Sequence, residues 1–369
     1  MPSAPVLIVG AGPTGLAAAL FLARLGVAVR LLDAADQPAV TSKALGVNPR
    51  TLALLENTGV TARIEAEAEA IEALRINWRG RPLATLRPDW DTLSAAHRMV
   101  ILPQARTEAL LTEALAALGV SPERGRKLVD VNQDTAGLTA AFEDGETLTA
   151  PVLFAADGAH SAVRRALGLD FPGDRWSEPW QLADVDLEGP AAHEGWLDFR
   201  PDGALLCLPF SGSTFRLFTF SPQPMLDNLP DGWRLRAVRW QSEFRVSHRV
   251  IERMAVGRVA FGGDAAHIHS PMGARGMNLG IEDAYVFAAC AADFLNGEPG
   301  RLEDYHRLRH PVDTRVVANV KRMTDALRNP SPLAHLARRW APPVVTRVPF
   351  LVNAALRVGM GLDHPVRVR

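Results

Sequence analysis

Cysteine is nearly absent from this chain. Only Cys207 and Cys290 occur in 369 residues, far apart and in neither a CxxC pair nor a zinc-ligand spacing, which argues against a metal cage or a thiol redox couple and fits a reducing, cytoplasmic compartment. Net charge is nearly absent too, −1 at pH 7, so nothing electrostatic recommends nucleic acid or an anionic membrane as a partner. No stretch of about 20 residues is apolar and uncharged, so no membrane span is expected. No basic-then-apolar leader precedes the first strand, so no signal peptide is expected. Internal repeats and long low-complexity segments are missing. What remains is an ordinary globular composition, 47% hydrophobic and 22% charged, with length for two or three domains.

The stretch from Val6 to Asp33 organises that composition. Val6 to Val9 is a short apolar run suited to a buried parallel strand. Gly10-Ala11-Gly12-Pro13-Thr14-Gly15 follows at once, then an apolar helix from Leu16 to Leu25 stopped by Gly26, then a second apolar run from Val27 to Leu32 that ends on Asp33. Gly10 permits the tight turn, Gly12 lets a pyrophosphate approach the backbone, and Gly15 lets helix pack on strand. The helix start favours a diphosphate through its N–H groups and dipole. Asp33 is suited to accept from a ribose hydroxyl. The unit predicts a dinucleotide site and by itself does not distinguish FAD from NAD.

Downstream, a helix is expected over Pro49 to Glu56, with Gly59 as its cap, and a hairpin over Ala73 to Trp78 and Arg81 to Leu86. Arg87 to His97 reads as a loop. A strand from Met99 to Leu102 leads into a helix starting at Pro103, which puts Gln104 at a strand–helix junction, facing a ligand or simply early in the helix. Lys127 to Leu148 reads as a three-stranded meander. Val152 to Ala156 is another apolar strand, delivering Asp157-Gly158-Ala159-His160-Ser161 to a helix from Ala162 to Leu167. That turn is either a second ligand-facing turn or a capped one, with Asp157 or Ser161 as N-cap. Alternating runs from Gln181 to Phe220 predict an antiparallel sheet; Trp196, Asp198 and Arg200 share a face that reads as the solvated side rather than a pocket wall, the other reading it allows. A helix is expected over Trp233 to Phe244. Arg258 to Phe261 is a strand ending on Gly262-Gly263-Asp264, followed by the glycine-bearing loop Ala265 to Asn278 and a long apolar helix from Gly276 to Leu295. His267 and His269 are two apart with no carboxylate cluster beside them in sequence, so no metal is expected. The rest reads as helical to about Leu327, with a short helix over Leu333 to Trp340 and an apolar, arginine-bearing tail from Val344 to Met360 that is either packed or a surface for a partner or membrane.

Taken together, the three glycine–acid stretches resemble the group A flavoprotein monooxygenases, the para-hydroxybenzoate hydroxylase-like family. Gly10 to Gly15 with Asp33 resembles its FAD fingerprint, Asp157-Gly158 through Ser161 with Arg164 its DG motif, and Gly263-Asp264 through Asn278 its GD motif. The resemblance implies an α/β fold: a Rossmann-like FAD-binding domain (1–72, 99–175, 251–298) interrupted by an antiparallel-sheet substrate domain (73–98, 176–250), with C-terminal helices (299–369). It implies FAD as cofactor, NADH or NADPH as reductant and O2 as co-substrate, with oxygen passing from a flavin C4a-hydroperoxide to an aromatic or polyketide-like small molecule. The cofactor contacts it implies are Gly10, Gly12, Pro13, Thr14, Gly15, Asp33, Lys43, Gln104, Asp157, Asp264, Pro271, Gly273, Gly276, Met277 and Asn278, with His160 and Arg164 on NAD(P)H. A related flavoenzyme without oxygen insertion (a reductase or halogenase), a non-catalytic FAD carrier and a plain NAD dehydrogenase are the alternatives.

The chain departs from the family pattern in places. Lys43 stands where many members have Arg, losing the planar fork, and Ala274-Arg275 replaces a common Gly-Gln. Both tyrosines, Tyr285 and Tyr305, fall on predicted helices after the GD motif, so a tyrosine pair in the sheet is not expected to ionise a phenol. If a base is needed, His97, His193, Asp198 and Arg216 are the candidates. The thioredoxin-like extension of longer phenol hydroxylases is not seen.

Overall fold

The structure is a computed structural model that describes residues 4–40, 44–329 and 331–369; Lys43 lies outside them. Two sheets dominate. The first has five strands in the order Ala255–Val256, Val259–Phe261, Leu153–Ala155, Val6–Val9, Val29–Leu32. All its pairings are parallel except the short 255–256 hairpin strand. Its central strands are buried on both faces, which is why they read as unbroken apolar runs rather than alternating ones. The helices Pro13–Arg24 and Gly276–Leu295 lie against each other beside it.

The second sheet has eight strands, in the order His267–Ile268, Arg234–Val250, Gly173–Glu188, Thr214–Thr219, Gly203–Ser211, Glu194–Arg200, Ala73–Trp78, Arg81–Leu86. One pairing in it, 194–200 with 73–78, is parallel. The strands at 73–86 thus join a sheet otherwise built from residues 173–268. A three-stranded meander (Leu128–Gln133, Leu138–Phe142, Thr147–Ala150) stands apart. The helices Arg301–Arg328, Pro332–Val345 and Pro349–Gly359 complete the chain. Among the described residues, no helix is long and apolar enough to cross a membrane.

Four expectations are corrected. The segment Trp233 to Phe244 is not a helix but the first two-thirds of the strand Arg234–Val250, paired along nearly its whole length with 173–188. Trp233, Ala237, Trp240 and Phe244 do fall at helical spacing, but sheet pairing overrides it, and two register shifts within 184–187 absorb the irregular pattern. The Asp198 face is not solvated: Asp198 is 1% exposed, accepting from the backbone N–H of Gly80 (2.8 Å) and from Arg200 Nε (3.1 Å), so that it caps the 79–80 turn of the neighbouring hairpin. A helix at Val60–Glu67 follows Gly59, and a short one at Trp90–Leu93 interrupts the expected loop. The carboxylate cluster that sequence spacing lacks is assembled by folding, as described below.

Candidate cofactor and substrate site

The three glycine–acid turns meet at the carboxyl ends of the parallel strands. Gly10, at φ +104°, sits so close to the second turn that a Cβ there would lie 2.2 Å from the Ala156 carbonyl oxygen. Gly263 and Gly280 pack on Thr14: a Cβ on either would come within 2.5 Å or 2.2 Å of its hydroxyl. The third turn and its helix are therefore pressed onto the start of the first helix. Gly12 differs from these, because a Cβ there meets nothing within 4 Å. Gly12 N-caps the 13–24 helix without a side-chain cap, and the first turn carries no acid. Asp33 stands beside this cradle; its Oδ2 accepts from Ala11 N at 2.5 Å and its Oδ1 from Ala35 N at 2.8 Å. An open, uncapped helix start beside a carboxylate fits a dinucleotide's diphosphate and ribose.

The second turn is held from within. Asp157 Oδ2 accepts from Ala162 N (2.6 Å) and Val163 N (3.2 Å), Ser161 Oγ accepts from Arg164 N (3.0 Å), and Asp157 Oδ1 is buried with no partner among the described residues. Burial pushes the Asp157 carboxyl up from its ordinary range. Arg164 is not presented to a nicotinamide phosphate: it is 6% exposed, its guanidinium donating to Ala265 O (2.9 Å) and Ala159 O (2.8 Å) while lying 3.9 Å over Phe171. It ties the second turn to the third. His160, by contrast, is exposed. Gln104 begins the 104–116 helix and donates to buried Glu108 (2.8 Å), whose carboxyl burial pushes up.

The third turn rests on a buried polar cluster that sequence reasoning missed. Asp283 Oδ2 accepts from Gly263 N (3.0 Å) and meets His267 Nε2 (2.7 Å). Arg309 donates to Asp283 (2.8 Å) and Asp313 (2.8 Å) and lies 3.4 Å from Glu282. His267, Asp283 and Asp313 come close enough to hold a metal ion, but the Arg309 guanidinium already spans the two carboxylates. Burial works against the charge on His267, yet Asp283 and Asp313 outweigh it and raise the imidazole to about 9. The only sequence signal for this cluster is Glu282-Asp283 in an otherwise apolar helix.

The loop after Asp264 is pinned at both ends. Asn278 donates to Gly46 O (2.9 Å) and Ala274 O (2.6 Å) and accepts from Asn48 N (3.1 Å). Gly273 (φ +82°) and Ala274 (φ +51°) both take left-handed conformations. Ala274 thus keeps the glycine-like backbone of the pattern it departs from, at a cost of about 1 kcal/mol. Arg275 does not reach a ligand. It is 1% exposed and donates to Val358 O (2.9 Å) and Asp363 (3.2 Å), fastening the C-terminal segment onto this loop, while His364 meets Glu282 at 2.7 Å. Beyond it, the tail helices leave Leu333, Trp340, Val344 and Phe350 well exposed.

Facing the loop, the sheet presents aromatics. Trp180, Val246 and Met272 pack together with Trp176, Phe220, Phe244 and Leu327. The four base candidates do not converge there. Arg216 is bidentate to Asp184 (2.7 Å each), His97 pairs with Glu65 (2.9 Å), exposed His193 lies 3.7 Å from Glu69, and Asp198 caps its turn. Tyr305 donates to Phe261 O (2.7 Å) and Tyr285 packs edge-on against Phe21, both away from the sheet aromatics.

A parallel sheet with a diphosphate-type turn, two further turns converging on it and an aromatic-lined sheet opposite define a flavoprotein of the dinucleotide-binding type. The FAD binding domain family matches residues 3–228 and 231–320. The chain is 36% identical over 349 residues to a 6-methylpretetramide 4-monooxygenase from Streptomyces rimosus, covering 88% of this chain and 62% of that protein. It is 34% identical to a rifampicin monooxygenase from Streptomyces venezuelae, covering 86% and 70%. An anhydrotetracycline hydroxylase from Streptomyces rimosus superposes with a TM-score of 0.79 at 29% identity, covering 98% of this chain and 77% of that one. The chain belongs to this FAD binding domain family, as its similarity to the rifampicin monooxygenase also shows. It spans about 62% of the length of the first of these relatives.

Proposed function

We propose that this chain is the FAD-holding and substrate-holding part of an NAD(P)H-consuming monooxygenase that hydroxylates or epoxidises an aromatic or polyketide-like small molecule. The observation that carries the reading is the packing of the second glycine–acid turn on Gly10 and of the third on Thr14, both in the first turn, with an aromatic sheet face across the third loop. The flavin, when bound, supplies the redox chemistry, accepting hydride from the nicotinamide and activating oxygen.

The chain's own residues bind, orient and exclude water. The Gly12 helix start takes the diphosphate, with Gly10, Pro13, Thr14 and Gly15 shaping the turn, and Asp33 takes the adenosine ribose. Asp157, Gln104 and Asp264 line the remaining cofactor path, and Pro271 to Asn278 supply backbone beside the ring. Trp176, Trp180, Phe220, Phe244 and Met272 form a dry wall in which an apolar substrate displaces water. His160, exposed on the second turn, is the remaining contact for a nicotinamide phosphate. On this reading 1–72, 99–175 and 251–298 form the cofactor part, 73–98 and 176–250 the substrate part, and 299–369 the C-terminal helices; the sheet shared by 73–86 and 173–250 supports that division. A cytoplasmic location, with no nucleic-acid partner, goes with two buried free thiols and near-neutral charge.

The reading is tested by following NADPH or NADH oxidation and oxygen uptake by the FAD-loaded protein with polyketide-like phenols. Ligand-stimulated consumption of both, with one product oxygen drawn from O2, supports it. Nicotinamide oxidation that proceeds equally without oxygen replaces it with a reductase.

A further inference from the structure

The strand Arg234–Val250 ends by pairing with the start of the third loop: Arg249 stands opposite Ile268 and Val250 opposite His267. Continued by one residue, this antiparallel register sets His248 across from His269, and opposite residues in such a pair share a face. His248 is 3% exposed, yet neither ring nitrogen has a hydrogen-bond partner among the described residues. Its ring leans on Trp176 at 5.0 Å. Phe244 and Val246, four and two residues earlier on the same strand face, belong to the Trp180–Met272 aromatic cluster. His269 is likewise underused: its Nδ1 lies 2.8 Å from the Ser270 carbonyl and so carries the proton, which leaves Nε2 as an unpartnered buried acceptor.

The charged neighbours do not take these nitrogens. Lys321, Asp325 and Asp174 flank His248 but pair among themselves, Lys321 Nζ lying 3.0 Å from Asp325 and 3.3 Å from Asp174. Burial and the Lys321 charge push His248 down to about 4, and burial pushes His269 down to about 3, so both rings are neutral near pH 7. Buried polar atoms are normally satisfied. Here three imidazole nitrogens are left over on two adjacent rings, beside an aromatic wall and at the loop expected against the flavin.

We propose that His248, with His269 opposite, is the polar end of the substrate site, a pair of neutral imidazoles that orients a hydroxyl-bearing aromatic ring against the Trp176–Trp180–Phe244 wall. The inference rests on the proposed function for the presence of a substrate there. The acceptor at His269 Nε2 selects a hydroxyl hydrogen. His248 donates from one nitrogen and accepts at the other, so it suits a ring edge carrying adjacent hydroxyl and carbonyl groups.

The test uses the FAD-loaded protein titrated with matched probes, 1-naphthol against naphthalene and 1,8-dihydroxyanthraquinone against anthraquinone, read by flavin difference absorbance. Wild type is expected to bind the hydroxylated member at least tenfold more tightly. His248→Leu should erase most of that preference while leaving flavin content, thermal midpoint and affinity for the bare ring within twofold. His248→Gln, which restores a donor and an acceptor, should recover part of it. Equal loss for both members of each pair would overturn the inference, as would an unchanged preference or wild-type binding of neither member. Nicotinamide oxidation is recorded separately. Hydroxyl-selective binding without turnover would sink the monooxygenase reading alone, and turnover with an unchanged preference in His248→Leu would sink this inference alone.

Discussion

Gly12→Ala separates cofactor binding from folding more cleanly than any other change at the first turn. Gly10 and Gly15 are folding glycines: a Cβ would sit 2.2 Å from the Ala156 carbonyl oxygen in one case and 1.8 Å from the Gly10 carbonyl oxygen in the other. Gly12 has φ −78°, which alanine adopts freely, and its Cβ would meet nothing within 4 Å. Replacing a glycine N-cap by alanine costs about 0.5–1 kcal/mol. The stiffer unfolded chain returns about 0.4–1 kcal/mol, so the flavin-free protein should keep its stability to within about 1 kcal/mol. The diphosphate fares differently, because the new methyl occupies the space it would fill. Losing one charge-assisted hydrogen bond of about 1.5–3 kcal/mol weakens FAD binding roughly ten- to hundredfold. The assay is fluorescence titration of the flavin-free protein with FAD beside a denaturant curve. Unchanged FAD affinity in Gly12→Ala would refute the placement of the diphosphate, and a stability loss above about 2 kcal/mol would refute the claim that this glycine is spared for a ligand.

Other consequences follow from the third turn. Ala274→Gly should raise stability by up to about 1 kcal/mol by relieving the left-handed alanine, seen as a higher thermal midpoint; a lower midpoint contradicts it. Arg309→Met leaves Asp283 and Asp313 buried without their cation and should cost about 3–5 kcal/mol in urea unfolding, whereas a loss under about 1 kcal/mol would mean the cluster is not held by this arginine. His267 is raised to about 9 in the fold from an ordinary 6.5. Its contribution to stability is therefore complete below pH 6.5 and lost as the pH rises through 9. The thermal midpoint of the flavin-free protein should fall across that window, and His267→Gln should flatten the fall; the same slope in both proteins would show that another group titrates.

The parallel strands and the three turns were legible because each needs particular local residues: an unbroken apolar run for a strand buried on both faces, and glycine where backbone is crowded or φ is positive. The 276–295 helix was legible from end to end for the same kind of reason, its bounds set by a glycine-bearing loop and a long apolar period. Arg234–Val250 was not. Its aromatics fall at helical spacing, and only its partner strand, some sixty residues away, makes it extended. The site divides similarly. The cofactor turns announce themselves in sequence, whereas His248 and His269 become neighbours through a strand pairing, and Arg309 reaches Asp283 through helix packing. Arg164 and Arg275 show the converse. Arg164 stood where its motif implied ligand contact and Arg275 where the pattern commonly has Gln, but burial and nearby carbonyls make the first a tie between turns and the second a tie to the C-terminal segment. Asp198 is a third case, a charge on an alternating strand that reads as solvated until a neighbouring hairpin asks for a cap.

The central claim is tested most directly by the visible spectrum of the purified protein, before and after NADPH or NADH is added in air with oxygen recorded. The account predicts flavin bands in the protein as isolated or after reconstitution with FAD, bleached by nicotinamide and recovering as oxygen is consumed, faster when a phenolic probe is present. A protein that stays colourless and takes up no FAD would contradict it and reassign the turn from Gly10 to Gly15, with Asp33, to a nicotinamide dinucleotide.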